Sequence, residues 1–583
     1  MTAATRAVPT AAAPFRALVA DELDAGRRAF EGGDLDTAER RFRCALEAPE
    51  QPAEALLWLG RVASQRGTIP DAVNWLEQAL DRDPALVEAS VALALIHARA
   101  GRAEDARDTL WTAVHHSPGA ADAWFQLGRL LAVSGQLNDA IRCLERVVAI
   151  DPGRADANIE LGRVFYRLRR YADAVAWFRL GLEGAPGDPQ AHNDLANSLL
   201  YLQRNDEALA LYEGLVRRFP ASSVARLGYA NCLQQLGRFD QAKAEYDRVL
   251  AREPRNPFML WNRALVLLLR QEFADGWQGY EHRLQVESDT LRLFPFPRWR
   301  GQPLAGKSLL IYREQGVGDE IMFASCFHEV LAQARRCVIE CRPMLSQLFA
   351  RSFPEATVVA AEDRAVPDWL DAEGDIDFQV AAGSLPHYLR RSRDAFPARP
   401  FLLADPDKVA RWRAELERLG PGLKVGISWR GGSVRTRTVA RSIALRDWST
   451  ILGMPGCRFV SLQYGEVADD LRDARDRCEV PVAHWPEAIA DYDDTAALVC
   501  AVDVVITVCT ALVHLSGALG QRAWVLVPAL PEWRYGRTGK RMPWYDSVEL
   551  FRQRDGAGWE EVIAQLRTEL EAFVSSGRGR APG

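Results

Sequence analysis

Small residues recur at Ala38, Ala72, Ala106, Ala140, Ala174, Ala208, Ala242 and Gly276, always 34 positions apart, through the first half of this 583-residue chain. Four residues after each stands a large apolar one: Phe42, Leu76, Leu110, Leu144, Phe178, Tyr212, Tyr246, Tyr280. Twelve residues before stands a second small one, as in Gly60, Ala94, Gly128, Gly162 and Ala196, and proline falls at the same period at Pro84, Pro118, Pro152, Pro186, Pro220 and Pro254. A register held through seven steps leaves few folds open. Two antiparallel helices per unit need a small residue on each so that their backbones approach. The large residue one turn later fills the gap against the next unit, and proline stops the second helix. Periods of this length mark stacked helical repeats. An α-solenoid is therefore expected over residues 21–284, behind a disordered leader over 1–20.

The pattern is similar to the tetratricopeptide repeat. Such stacks curl into a superhelix whose concave wall holds a peptide or protein segment. Nine residues into the first helix of successive units stand Arg27, Arg61, Leu95, Arg129, Arg163, Asn197, Asn231 and Leu265. The resemblance implies that this position faces the groove, so Arg61, Arg129, Arg163, Asn197 and Asn231 are candidates to hold a partner's backbone or acidic groups. The structural alternative is that each Arg pairs with a nearby acid such as Asp122 or Asp156. A continuous asparagine ladder like that of eukaryotic O-GlcNAc transferase is absent.

Charge excludes one class of function. A formal net charge of −6 argues against nucleic-acid binding, which needs a basic surface. Ten cysteines contain no CxxC pair; Cys337 and Cys341 read as buried thiols in a strand, which fits a reducing cytoplasm. Met1–Phe15 lacks the basic start and apolar core of a signal peptide. The most apolar stretch, Ala496–Leu530, is broken by Asp503, His514 and Gly520 and reads as a buried α/β core. A soluble cytoplasmic protein is expected.

After Gln285 the pattern changes. A linker over 285–300, containing Phe294–Trp299, leads into strands alternating with helices. Strands are expected at Lys307–Tyr312, Val338–Cys341, Phe378–Ala381, Lys424–Trp429, Arg458–Leu462, Val504–Val508 and Ala523–Val527. Strand–helix alternation means parallel sheets with ligands beyond their carboxyl ends. Pro406–Pro421 looks like the crossover between an N-terminal lobe over 301–405 and a C-terminal lobe over 406–575, with a tail over 576–583. Two strand-to-helix junctions stand out. In Glu314–Glu320 the glycines Gly316 and Gly318 allow a tight turn and Asp319 opens a helix. In Thr507–His514, Thr510 opens a helix whose small neighbours leave backbone N–H groups for a phosphate. Either could equally be an ordinary cap.

Together with Arg298–Gly301, Gly306-Lys307, Val425–Trp429, Arg441-Ser442, Ser461–Gln463, Asp503–Gly520 and Met542–Tyr545, these junctions resemble the heptosyltransferase-like glycosyltransferases of the GT-B fold, in the subgroup fused to tetratricopeptide repeats in bacteria. The resemblance implies an α/β domain of two Rossmann-like lobes closing on a nucleotide sugar without a metal or other cofactor. Asp319 would be the general base. Thr510, Ala511 and Leu512 would form the donor-phosphate loop and Arg441 would neutralise the phosphates. Trp429 and Gln463, at strand ends, would face the nucleotide crevice; His514 is either a ligand contact or a buried structural histidine. Three departures mark this chain: Cys509 where the family has Asp, Ser325-Cys326 where it has Arg-Tyr, and no acid within Val434–Ala440, which carries Arg435 and Arg437. A more positive donor site suits a sugar bearing a carboxylate. The layout is similar to soluble flagellin glycosyltransferases, which implies transfer to Ser or Thr of a protein recruited by the repeats. The alternative is a non-catalytic scaffold with a degenerate glycosyltransferase domain.

Overall fold

The structure is a computed structural model describing residues 12–48, 51–286, 294–362, 369, 374–431, 438–478 and 481–576. Arg435, Arg437, residues 1–11 and residues 577–583 lie outside the described residues. The chain divides into two compact units, Met1–Cys232 and Leu233–Gly583.

The first unit is a succession of antiparallel helix pairs, from Ala12–Glu31 with Leu35–Leu46 to Pro189–Tyr201 with Asn205–Arg218. The 34-residue register explains the packing. A Cβ on Gly60 would lie 2.7 Å from Leu76 Cγ, and one on Gly162 would lie 2.6 Å from Phe178 Cδ1. The large residue thus fills the hollow over the small residue of its own pair, as well as meeting the next unit where Phe42 stacks on Trp58 at 5.7 Å. The prolines act through the residue before them, which they push out of the helical region: Asp83 (φ −134°, ψ 90°) and Asp151 (φ −133°, ψ 90°) end their helices one position before Pro84 and Pro152. The leader expected over 1–20 is corrected in part. Residues 12–20 belong to the first helix, because Val19 and the buried Leu23 pack with Phe42.

The second unit begins with the last repeat helices, Phe239–Leu250, Pro257–Leu269 and Phe273–Tyr280, followed by the short Arg283–Val286. Two parallel sheets follow. One has the order β3-β2-β1-β4, with β1 Ser308–Tyr312, β2 Arg336–Cys341, β3 Thr357–Ala360 and β4 Phe378–Ala381. The other has the order β6-β5-β7-β8-β9, with β5 Leu423–Ser428, β6 Cys457–Ser461, β7 Val504–Val508, β8 Ala523–Val527 and β9 Val548–Arg552. Fully buried runs such as β1, β7 and β8 are what a sheet covered on both faces demands. Within Pro406–Pro421 lies the helix Pro406–Glu417, capped by the Asp405 side chain, which accepts from the N–H of Asp407 and Lys408.

Residues 294–300 are packed structure rather than free linker. Gln379 on β4 donates its N–H to Pro297 O at 2.9 Å and accepts from Trp299 N at 2.8 Å, and Phe294 and Trp299 are buried. One hydrophobic core joins Ala264, Leu268, Phe273, Trp277 and Tyr280 of the last repeat helices to Ile311, Phe323, Leu515 and Trp544 of the sheet region. Cys337 and Cys341 are buried free thiols on β2. Among the described residues no helix is long and apolar enough to cross a membrane.

Candidate functional site

β1 ends in the turn Arg313–Gly318, which is clamped from three directions. Arg283, fully buried, donates from Nε to Glu314 Oε2 at 2.9 Å and from Nη2 to Glu314 Oε1 at 2.6 Å and Ser384 Oγ at 3.0 Å. Burial by itself would lower the pKa of Arg283; Glu314 and Glu281 outweigh it and hold it up. The Tyr280 hydroxyl donates to Gln315 Oε1 at 2.8 Å, and Arg342, just after β2, donates from Nη1 to Gln315 O at 2.6 Å. Gly316 then caps the helix Val317–Ala324, its carbonyl accepting from Asp319 N at 2.9 Å and Glu320 N at 3.0 Å. Consecutive residues on a helix diverge by about 100°, so Glu320 turns into the core while Asp319 turns out. Glu320 is paired with Arg342, yet burial pushes its carboxyl up to about 7.

The second junction meets the first. β7 ends at Val508, and Thr510 (φ −134°, ψ 177°) caps the helix Ala511–Ala518 with its own side chain, Oγ1 accepting from Leu512 N at 3.2 Å. The Leu512 N–H, expected to be open for a phosphate, is therefore already engaged, and Leu512 itself is buried. Gly318 is the point of closest approach. A Cβ there would stand 3.1 Å from His514 Cδ2 and 3.2 Å from Ala511 Cα, so any larger residue would push the two helices apart. His514 is 4% exposed, with Nδ1 3.3 Å from the Tyr545 hydroxyl. Burial, then Arg534, push its pKa down to about 3, so the ring is neutral.

Asp319 and Thr510 are bordered by a chain of charges. Arg534 donates from Nε to Asp319 Oδ1 at 2.9 Å and also from Nη2 to the same oxygen. Its Nη1 lies 3.3 Å from Glu532 Oε2, and the other Glu532 oxygen accepts from Arg441 Nη1 at 2.6 Å. Arg441 continues to Cys509 O, with Nε at 3.0 Å. Burial would lower Arg534, but Asp319 and Glu532 more than reverse it and hold it up. The Cys509 thiol points the other way, toward Leu526 O at 3.7 Å, and burial pushes its pKa up to about 12. The carboxylate beside Arg441 is thus supplied by Glu532, after β8, and not by the residue preceding Thr510. Neither Glu532 nor Arg534 was singled out from the sequence. The available signal was their place: a Glu-Trp-Arg run just beyond the buried strand β8, at the sheet edge that carries Thr510.

Trp429 and Gln463 are both held by the fold. Gln463 Oε1 accepts from Ser428 Oγ, Trp429 N and Arg430 N at 2.8–3.0 Å, and its Nε2 donates to the carbonyls of Arg430 and Tyr464. Its amide is consumed in tying the end of β5 to the end of β6. Trp429 is wholly buried, its Nε1 donating to Asp470 Oδ2 at 3.1 Å. Beyond β6, on the same sheet edge, Gly465, Leu471, Arg472, Arg475 and His484 line a cavity of about 620 Å³.

In the repeats the Arg residues are engaged by their own fold. Arg163 bridges Glu160 at 2.7 Å and Asp194 at 3.0 Å, and Arg27 pairs with Asp24 at 2.6 Å. Arg61 lies over the Trp58 ring at 4.5 Å and Arg129 over Phe125 at 5.8 Å. Asp122 and Asp156 are held by Arg154. Asn197 and Asn231 are half-buried. Among the described residues no cluster of side chains is arranged to hold a metal ion.

Comparison with known proteins covers the repeats directly. Tetratricopeptide repeat families match residues 23–87 and 125–189, and residues 98–149 and 199–259. Protein FlbA of Caulobacter vibrioides is 35% identical over 336 residues, 54% of this chain and 56% of FlbA; the chain thus spans little more than half of that relative. The crystal structure of MamA aligns at 27% identity over 29% of this chain and 91% of MamA, with a TM-score of 0.25. PilF of Pseudomonas aeruginosa aligns at 18% identity over 37% of this chain and 96% of PilF, with a TM-score of 0.33. Residues 23–87, 98–189 and 199–259 are tetratricopeptide repeats, and a region of parallel sheets follows them.

Proposed function

We propose that the chain is an inverting glycosyltransferase of the GT-B type, transferring a sugar from a nucleotide donor to a Ser or Thr hydroxyl of a protein recruited by its repeats, with flagellin as the proposed acceptor. The observation that carries this reading is the meeting of Asp319 with the Thr510 helix end, at the carboxyl edges of two parallel sheets, beside two half-buried guanidiniums. Asp319 takes the acceptor's proton as its oxygen attacks the anomeric carbon. The bond from that carbon to the donor phosphate breaks, and the electron pair leaves on the phosphate, which Arg441, Arg534 and the helix dipole stabilise. The cavity beyond β6 is of a size for a nucleoside.

Thermal unfolding with UDP, GDP, ADP, dTDP and CMP in turn tests donor binding. A ligand at a hundred times its dissociation constant adds about 2.7 kcal/mol. One nucleotide should raise the melting point, and Asp319→Ala should keep that rise while abolishing transfer to the protein acceptor. Normal transfer by Asp319→Ala removes Asp319 as base. The second reading, a scaffold with a degenerate domain, draws on one observation: the Asp319 oxygen that would accept the proton is held by Arg534. Silence toward every nucleotide favours it.

A further inference from the structure

The Asp319–Arg534 pair has a geometry that a static ion pair does not need. Arg534 gives two donors, Nε and Nη2, to the single oxygen Oδ1 of Asp319. The other oxygen lies against the turn, with Oδ2 3.4 Å from where a Cβ on Gly316 would stand. Oδ1 of Asp319 is therefore occupied while the pair holds. The guanidinium is fixed from behind. It lies over the Trp533 ring at 4.7 Å, and that ring is wedged against Trp277 at 5.4 Å and Tyr280 at 5.6 Å. Glu532 is bound at both ends, Oε1 to Arg441 and Oε2 to Arg534. Among the described residues Asp319 has its ion pair with Arg534 alone, so of the two carboxylates it is the one with a single cationic partner.

The four charges, two arginines and two carboxylates, sum to zero. The side chains of Asp319 and Arg534 are only 17% and 16% exposed, so an arriving anion cannot be balanced by water. His514, buried and neutral alongside, supplies no further positive charge. Among the described residues, an anion gains a cation here by taking one from a carboxylate.

We infer that Arg534 is an anion-recognition residue occupied by Asp319 until an anionic group of the donor displaces it, which frees the Asp319 oxygen only when donor is bound. The inference rests on the glycosyltransferase reading and adds to it a reason why Oδ1 of the base is held until donor arrives. The displacing group is a phosphate of the nucleotide or a carboxylate on its sugar; both match the fork of a guanidinium.

The prediction has an unusual sign. Removing the charge of Asp319 should tighten ligand binding, because it removes the competitor and leaves the half-buried Arg534 with Glu532 as its remaining carboxylate partner. Calorimetric titration of the full chain with CMP and UDP as phosphate probes, and free N-acetylneuraminic acid as a carboxylate probe, reads this directly. Asp319→Asn should bind one class of probe on the order of tenfold more tightly than the wild type. The double variant Asp319→Asn/Arg534→Gln should lose that gain, and Asp319→Asn/Arg534→Lys should keep only part of it. Circular dichroism melts establish that each variant is folded. A gain with the nucleotides assigns the phosphate, and a gain with the acid sugar alone assigns the carboxylate. Binding by Asp319→Asn no tighter than the wild type, or no binding of any probe to any variant, overturns the inference. The two readings separate: transfer by the wild type without the Asp319→Asn gain sinks the displacement and leaves the enzyme, whereas the gain without transfer by the wild type sinks the enzyme.

Discussion

Glu320 and His514 stand on two helices that meet at Gly318, and they titrate in opposite senses. Burial raises the Glu320 carboxyl from its ordinary 4.5 to about 7, so the folded state holds that proton more tightly than the unfolded chain. Between pH 4.5 and 7 its contribution to stability falls as pH rises. Burial lowers His514 from 6.5 to about 3, so the unfolded chain binds that proton more tightly, and its contribution falls as pH drops below 6.5. Over the shared window the two slopes oppose each other and the wild type should be nearly flat. Glu320→Gln should expose the histidine and lose roughly 1–3 kcal/mol as pH is lowered from 6.5 to 4.5. His514→Gln should do the reverse and gain stability over that range. Urea unfolding at three pH values measures both; slopes unchanged from the wild type would contradict the burial argument. At this scale the sequence was informative about backbone and poor about partners. Gly318, Asp319 and Thr510 were legible because a tight turn and a helix start each restrict residue type. Arg534 was not, because an arginine in a loop looks the same in sequence whether it is solvated or locked onto a carboxylate 215 positions away.

At the scale of elements, the last repeat helices are part of the site's support. Arg283 holds Glu314, Tyr280 holds Gln315, and Trp277 packs edge to face against Trp533, so one short helical segment braces both the turn bearing Asp319 and the loop bearing Arg534. Breaking a buried pair by removing one partner costs about 3–5 kcal/mol, whereas replacing both with apolar groups can be nearly neutral. Arg283→Met should therefore cost several kcal/mol, and Arg283→Met/Glu314→Leu should recover much of it. Denaturant midpoints test this, and a double variant as damaged as the sum of both singles would show that the pair is not acting as a unit. The seven strands read from the sequence include all five interior ones, β1, β2, β5, β7 and β8, whose burial shows in their composition. The two missed, β3 and β9, lie at sheet edges and carry half-exposed residues; the edge strands β4 and β6 share that position and were read nonetheless, so edge position weakens the signal without erasing it. The bracing contacts were not legible for a related reason: the 34-residue register predicts how a repeat meets its neighbours, and at the last unit the neighbour is a different fold.

At the scale of the whole molecule, the sequence suggests a cut near residue 300, where repeats give way to strands, but the core places the division elsewhere. The compact unit begins at Leu233, and its largest hydrophobic core includes Ala264, Leu268, Phe273, Trp277 and Tyr280. A fragment of residues 301–583 would strip the cover from Phe323, Trp533 and Trp544, all ring partners of Trp277, and would leave Glu314 buried without Arg283. Removing one buried aromatic side chain such as Trp277 costs about 3–5 kcal/mol, against a total stability of about 5–15 kcal/mol for a typical domain. A fragment of residues 236–583, which keeps the last repeat helices, should melt cooperatively and give the same nucleotide response as the full chain. The fragment 301–583 should be aggregated or molten, with lost near-ultraviolet circular dichroism. If instead 301–583 melts cooperatively with an undiminished nucleotide response, then the last helices merely lean on the sheet domain, and their contacts to Glu314, Gln315 and Trp533 contribute nothing to the site.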